Sequence, residues 1–582
     1  MSVTDTAQTA FRSRPRLGLA LRAIDLRRWL LPVTVAAALL WLVLPPLIFI
    51  VQTSLVTNAG DALTFDHYAA IFSSLRGALS LLGDSLIFAI GSDIVAIALG
   101  TALAWMTERT DVPFKSMAYI GAFLSFAVPP IVKVIGWILL FGPKAGFINI
   151  WLSQLLHVPR GTLNVFSMGG MIGIEGLLWA PVVFLLMTVP FRSLDPSLEE
   201  AASTSGAGPF QAFRRVTWPL ALPSVLAVLL LTGARSLSSF EVPALIGIPA
   251  GVHIFTTRIY LLTTQGFVPH YGDSSAYGVV LMLLVGLALY PYYLATRQTQ
   301  RFATVTGKGF RPRVMRLGRW RVLGVALMLL LPLLVVLPTL ALLWASLLPY
   351  VQQPSARAVQ LLTLHNYTRA FADGNVVAAT WNSLVIGVAS ATGGMFLTML
   401  TAWIVVRGRS RARWALDQLT TVPLVIPGIV LGIAVLRAYL TLPLPLYGTV
   451  WILVIAYVTA SLPFAIRFCY SGVLTISREL EESAEVSGAS WWTTIRKIVL
   501  PLMLPALFAG WIGIFMVTFR ELTVSLLLVT PSSQVIPVTI WDLWENGSVS
   551  ELSAFTVALS LALIVLGLVL RRLSQRYGYR IA

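Results

Sequence analysis

The sequence predicts an all-α polytopic membrane protein, with about twelve transmembrane helices in two parallel homologous six-helix halves. Three observations carry this prediction. The 582 residues are 57% hydrophobic and only 11% charged, with a mean hydropathy of +0.83, whereas a soluble chain carries about 25% charged residues. Apolar runs long enough to cross a bilayer recur from end to end. Finally, a polar passage is written twice: "LEEAASTSGAGPFQAFRRVTWPLALP" from Leu198 is answered by "LEESAEVSGASWWTTIRKIVLPLMLP" from Leu480, 282 residues later.

A crossing helix needs roughly 20 apolar residues. Such runs lie near 30–54, 80–106, 116–142, 165–190, 213–240, 275–296, 321–348, 380–406, 414–439, 447–474, 497–529 and 553–571. The first follows a polar stretch holding Arg12, Arg14, Arg16, Arg22, Arg27 and Arg28. From Trp29 to Leu55 it is too long for a signal-peptide core, so it reads as a retained first span. Basic residues set the orientation. They cluster in the N-terminal tail, in "RQTQRFATVTGKGFRPRVMRLGRWR" from Arg297, in "RGRSRAR" from Arg407, and at Arg571, Arg572, Arg576 and Arg580. The opposite loops hold only Arg76, Lys144, Arg160, Arg258, Arg357 and Arg369. Both termini and both polar passages are therefore expected on the cytoplasmic side. The net charge of +17 then belongs to loops facing the cytoplasm and anionic lipid, and no nucleic-acid partner is expected. Cys469 is the single cysteine; it excludes an internal disulfide and a multi-cysteine metal site and reads as packing.

The duplication is wider than the polar passage. "FDHYAAIF" at Phe65 answers "LHNYTRAF" at Leu364, "GDSLIFAIGS" at Gly83 answers "WNSLVIGVAS" at Trp381, and "VPPIV" at Val128 answers "IPGIV" at Ile426. These early matches are offset by 298 or 299 residues and the later ones by 282, so the first half carries about 16 extra residues, expected between Phe141 and Phe166. The expected organisation is a basic tail (1–28), a first half (29–296, polar loop 196–219), a basic linker (297–320), a second half (321–574, polar loop 478–501) and a tail (575–582).

Each polar passage reads as a helix–turn–helix. Asp195-Pro196 is a good cap and first-turn pair, Glu199 and Glu200 suit the helix start, Ala201 and Ala202 permit close approach, and Gly206 permits a sharp turn. "PFQAFRRV" presents Phe210 and Phe213 with Arg214 and Arg215 behind, and Pro219 and Pro223 lead into the next span. Both copies resemble the EAA loop of binding-protein-dependent ABC importer permeases of type I, whose motif is E-A-A, three residues, G, nine residues, I-x-L-P. The second copy supplies Glu482, Ser483 in place of the first Ala, Ala484, Gly488, Ile498, Leu500 and Pro501. The first supplies Glu200, Ala201, Ala202, Gly206, Val216, Trp218 and Pro219, with Trp218 a departure from Leu.

The resemblance covers nearly the whole chain. It implies the type I importer fold, a multi-pass place in the bacterial inner membrane, and two ATPase-coupling loops built on Glu200, Ala201, Ala202 and Gly206 and on Glu482, Ser483, Ala484 and Gly488. It also implies a dimer of separate ABC ATPase subunits that binds ATP and Mg, and a periplasmic or lipid-anchored solute-binding protein. The chain contains no G-x-x-x-x-G-K-[ST], so it is expected to be no enzyme and to bind no cofactor itself. The fused halves, "FEVPALIG" at Phe240 and "FRELTVSLLL" at Phe519 resemble the ferric-iron branch, which implies Fe(III). The alternative cargo is a small organic or phosphorus-containing solute such as 2-aminoethylphosphonate, thiamine or a polyamine. An ATP-independent secondary transporter also has parallel halves but has no use for two such loops.

Ionisable residues within spans face the protein interior. Asp84 and Asp93 of the second span are assigned no role; the residues considered are Lys133, Glu175, Arg235, Glu241, Arg437, Arg467, Arg520 and Glu521. Either they line a pathway between the halves, with Lys133, Glu241, Arg520 and Glu521 the candidates, or they pair to fix helix packing. No metal-ligand set is visible. The five histidines, His67, His157, His253, His270 and His365, read as scattered loop and span-end residues.

Overall fold

The computed structural model describes residues 26–57, 62–159, 161–195, 197–299, 315–408 and 412–576. Most of the expected basic tail and linker, the last six residues and Pro196 lie outside the described residues. The first half contains α1 (Leu26–Ser54), α2 (Asp66–Phe72), α3 (Leu75–Arg109), α4 (Lys115–Ala127), α5 (Pro130–Phe141), α6 (Phe147–Leu156), α7 (Met168–Ser193), α8 (Ser197–Thr204), α9 (Pro209–Ala212), α10 (Trp218–Leu237), α11 (Phe255–Thr264) and α12 (Tyr271–Thr299). The second contains α13 (Arg321–Ser346), α14 (Ala356–Val359), α15 (His365–Ala372), α16 (Gly374–Arg407), α17 (Ala412–Thr421), α18 (Gly428–Thr441), α19 (Val450–Leu474), α20 (Arg478–Val486), α21 (Trp491–Thr494), α22 (Leu500–Thr518), α23 (Ser525–Leu528), α24 (Ile536–Glu545) and α25 (Val549–Arg576).

Among the described residues ten helices are long and apolar enough to cross a membrane, or twelve when two bent pairs each count as one span. The bent pairs are the third and ninth expected spans: α4 meets α5 at 106°, and α17 with its following turn meets α18 at 111°. Proline explains both breaks. Pro129 and Pro130 have no N–H, so the carbonyls of Ser125 and Phe126 lose their partners four residues on. In the second half Pro427 ends a single 3-10 turn, Val422–Val425, in which the Ile426 N–H donates to the Pro423 carbonyl at 3.1 Å. The expected run at 497–529 is shorter than its apolar sequence: α22 stops at Thr518. The extra residues of the first half carry α6.

The duplicated residues perform duplicated work. Ser54 and Tyr68 share a hydroxyl contact of 2.8 Å, as do Ser346 and Tyr367. The Ser85 hydroxyl accepts the first N–H of α11 (Phe255, 3.2 Å), and the Ser383 hydroxyl accepts the first N–H of α24 (Ile536, 2.9 Å). The halves also exchange their first helices. α1 packs on α18 as well as α12, and α13 packs on α4 and α5 as well as α25. Small residues allow this approach: a Cβ on Gly121 falls 2.4 Å from the Pro332 nitrogen, and one on Gly136 falls 2.5 Å from the Pro338 Cβ.

Candidate functional site

Six of those eight intramembrane ionisable residues meet in one place, beside the two bends. A cavity of about 180 Å³ is lined by Lys133, Glu175, Arg235, Glu241, Arg520 and Glu521, together with Ser125, Phe126, Trp179, Ser238 and Gly428. All four residues singled out from sequence, Lys133, Glu241, Arg520 and Glu521, lie on it, and Glu175 and Arg235 join them. Arg437 and Arg467 do not. The Arg437 guanidinium sits 5.2 Å from the Tyr271 ring centre and its Nε donates to Thr53 at 3.3 Å. Arg467 is exposed near the end of α19, within reach of a bilayer surface for a long side chain.

Two of the cavity cations complete the broken span. Lys133 is buried and its ammonium donates at 2.9 Å to both the carbonyl and the hydroxyl of Ser125. Arg520 Nη1 donates at 2.9 Å to the Phe126 carbonyl, with the guanidinium 5.5 Å from the Phe126 ring centre. These are the two carbonyls that the double proline leaves without amide partners. The same bend in the second half closes with its own turn, and Leu431 stands where the first half has Lys133. Arg235 lies 5.7 Å from the Trp179 ring centre, and Trp179 donates to buried Glu175 at 3.0 Å. Glu521 accepts from the Val524 N–H at 3.4 Å, while its Oε2 is buried without a hydrogen-bond partner. No ion pair within 4.0 Å joins any two of the six, among the described residues. The cavity therefore presents carboxylates with spare acceptor capacity, while Lys133 and Arg520 are committed to backbone. No three His, Cys, Asp or Glu side chains converge as metal ligands among the described residues.

The polar loops emerge at the ends of α7 and α19. In the first, the Asp195 carboxylate accepts the Ser197 N–H at 2.9 Å, a bond that holds it below the usual carboxylate range. α8 ends at Thr204 and the chain turns at Gly206, whose φ of +84° lies in the left-handed region; Gly488 repeats this at +78°. The closing bonds match too, Ala207 N–H to Ala202 carbonyl at 3.0 Å and Ala489 N–H to Ala484 carbonyl at 2.9 Å. Glu200, Ala201, Gly206, Glu482, Ser483 and Gly488 are exposed, Ala202 is half-buried and Ala484 is buried. Phe210 is exposed as expected, but Phe213 turns inward and packs 4.6 Å from Trp105. After α9 and α21 the chain passes through one π-helical turn, Phe213–Thr217 and Ile495–Val499, into α10 and α22. The π turn is the local answer to Pro219 and Pro501, which cannot donate to a carbonyl four residues back. The second helix of each loop and the fifth span are thus one continuous rod, whose far end carries Arg235 in α10 and leads to Arg520 and Glu521 beyond α22.

Sequence reasoning missed Arg109 and Arg407. Arg109 binds Glu199, with Nη2 to Oε2 at 2.5 Å, and Arg407 binds Glu481, with Nε to Oε1 at 2.8 Å. Glu199 is therefore buried in an ion pair rather than displayed at a helix start. The offset of 298 between the two arginines was the available signal. His67, expected in a loop, is buried and its ring bonds Asp273 at 2.7 Å and the Val56 carbonyl at 3.0 Å.

A duplicated bundle, a charged cavity beside the two bent spans and two polar loops leading into spans define an integral membrane transport protein. The chain belongs to the family described as "Binding-protein-dependent transport system inner membrane component", whose model matches residues 96–295 and 394–581. It is 26% identical over 461 residues to a putative ferric transport system permease protein, FbpB 1, of Haemophilus influenzae, covering 76% of this chain and 69% of that one. The probable ABC transporter permease protein y4fN of Sinorhizobium fredii is 26% identical over 527 residues, covering 88% and 90%. The spermidine/putrescine transport system permease protein PotC of Escherichia coli is 31% identical over 200 residues, 34% of this chain and 75% of that one. Among solved structures, a bacterial ABC transporter importing alginate covers 48% of this chain and 97% of its own at 23% identity, with a TM-score of 0.38.

Proposed function

We propose that this chain is the permease of an ATP-driven, binding-protein-dependent importer that carries Fe(III). The observation that carries the importer reading is the pair of polar loops, alike at matched positions, the second helix of each continuous with a span that reaches the cavity. Glu200, Ala201, Ala202 and Gly206, with Glu482, Ser483, Ala484 and Gly488, offer a small-residue surface to an ATPase dimer on the cytoplasmic side. That dimer holds ATP and Mg, and a solute-binding protein delivers cargo to the opposite face. Lys133, Glu241, Arg520 and Glu521 line the translocation route. Similarity to ferric transport permeases over most of the chain supports iron. The three cavity carboxylates are hard oxygen ligands of the kind a hard cation takes, and Lys133, Arg235 and Arg520 on the same wall offset their charge. The route passes the ion on rather than storing it, so it needs no closed ligand shell.

A polyamine is the second reading, favoured by the likeness of one half to a spermidine/putrescine permease and by the same carboxylates. The deciding experiment reconstitutes the chain with its ATPase and binding protein in proteoliposomes and follows ATP-dependent uptake of Fe(III), spermidine and 2-aminoethylphosphonate. Fe(III) accumulation supports the proposal; spermidine accumulation without Fe(III) replaces it. Glu482→Lys should abolish uptake while the chain still inserts, and wild-type uptake in that variant would refute the role given to the loops.

A further inference from the structure

Each polar loop hangs on an Arg–Glu pair set back from its exposed Glu-Ala-Ala residues. In the first half Arg109, the last residue of α3, donates Nε to both oxygens of Glu199 (3.2 and 2.9 Å) and Nη2 to Oε2 (2.5 Å), with Nη1 on the Leu194 carbonyl (3.2 Å). The same carboxylate accepts the Thr217 hydroxyl at 2.6 Å. Arg109 and Glu199 are 3% and 4% exposed. One side chain thus joins the end of the second span, the first loop helix and the π turn entering the fifth span. The anchor is itself fixed: the Met315 N–H donates to the Arg109 carbonyl at 2.9 Å, and the Leu317 N–H to Asp111 at 2.9 Å, just before α13.

The second half repeats the pair without its third member. Arg407 Nε donates to Glu481 at 2.8 Å and Nη2 to the Ile476 carbonyl at 2.7 Å. The residue 282 positions after Thr217 is Val499, which has no hydroxyl to give. The pair is also wetter, with side chains 16% and 14% exposed. A buried ion pair is weak evidence for stability as such, so simple packing does not account for keeping one at both matched positions. A forked, charge-assisted bond does fix geometry.

Resting on the reading of the loops as ATPase sockets, we infer that Arg109–Glu199 and Arg407–Glu481 are positioning struts. Each makes the second span of its half move with its loop; only the first, through Thr217, also ties in the fifth span, and this three-way strut is the stiffer. The two sockets are then unequal: motion of the first loop reaches the spans undiminished, while the second loop yields before its spans follow.

The test uses the full chain assembled with its ATPase in nanodiscs, reading how far the Fe(III)-loaded binding protein stimulates ATP hydrolysis over the basal rate, per assembled complex. Glu199→Gln should cut the stimulation about tenfold, as loss of a hydrogen-bonded charge does, with basal hydrolysis kept. Glu481→Gln should cut it about threefold, and Thr217→Val, which gives the first half the second half's chemistry, by about the same. A role in packing alone would lower the yield of complex and leave the stimulation unchanged. Unchanged stimulation in Glu199→Gln, or an equal or greater loss in Glu481→Gln, overturns the proposal. Should Glu199→Gln fail to assemble, unchanged stimulation in Thr217→Val overturns it instead. Failure of the socket reading looks different, since the wild-type chain then recovers no ATPase and the struts fall with it.

Discussion

Replacing Lys133 with methionine separates the two things this residue does. Methionine keeps the length and removes the charge. The loss is two hydrogen bonds from an ammonium to the Ser125 carbonyl and hydroxyl, both 2.9 Å. A hydrogen bond to a charged group is worth about 1.5–3 kcal/mol. The carbonyl cannot recover an amide partner, because the residue four positions on is Pro129. Against this stands the relief of no longer burying an ammonium that is only 4% exposed, a cost of several kcal/mol for an ion without a countercharge. Glu175 and Glu241 share the cavity and reduce that cost, and Arg520 and Arg235, which share it too, return part of it. The hydrogen bonds therefore win by a modest margin, and Lys133→Met should destabilise the chain by about 1–3 kcal/mol. Leu431→Met, the matched change in the half whose bend closes with its own turn, should stay within about 1.5 kcal/mol of wild type. Thermal unfolding in detergent, followed by thiol labelling of Cys469, which is buried when folded, measures both. Lys133→Met as stable as wild type, or Leu431→Met equally damaging, would refute the account of the bend.

Two further changes probe the frame around the cavity. Gly121→Ala puts a methyl 2.4 Å from the Pro332 nitrogen, a backbone atom that cannot step aside, so α13 should lose its seat on α4 and the amount of monodisperse protein in size-exclusion chromatography should fall sharply. Gly206→Ala and Gly488→Ala meet no atom within 4 Å but must hold a positive φ, at about 1–2 kcal/mol each; insertion should be normal while the loops splay, seen as faster hydrogen exchange across residues 197–212 and 478–494.

The spans were legible because lipid demands long apolar runs, and the duplication because Ser85 and Ser383, or Tyr68 and Tyr367, kept both identity and task. The cavity was half legible. Charge in an apolar run marks the interior, so Lys133, Glu241, Arg520 and Glu521 were found, but a span can be wet at its end, as at Arg467, or charged for a local reason, as at Arg437. That Lys133 and Arg520 would cap the carbonyls freed by Pro129 and Pro130 needed the 106° bend. The exchange of α1 and α13 left no trace, because helices that face lipid and helices that face protein are equally apolar. The Arg109–Glu199 bond spans 90 positions, and only comparison of the two halves points to it.

In the proposed importer, ATP acting through the polar loops turns the charged cavity from one side of the membrane to the other. Ser238 lines that cavity, and Cys469 is the chain's only cysteine, so a Ser238→Cys, Cys469→Ser chain carries one reporter thiol. In the assembled transporter in sealed vesicles, a membrane-impermeant maleimide should label it from the polar-loop side without nucleotide and from the opposite side when ATP is trapped. Labelling from the same side in both states, or from neither, would contradict alternating access of this cavity.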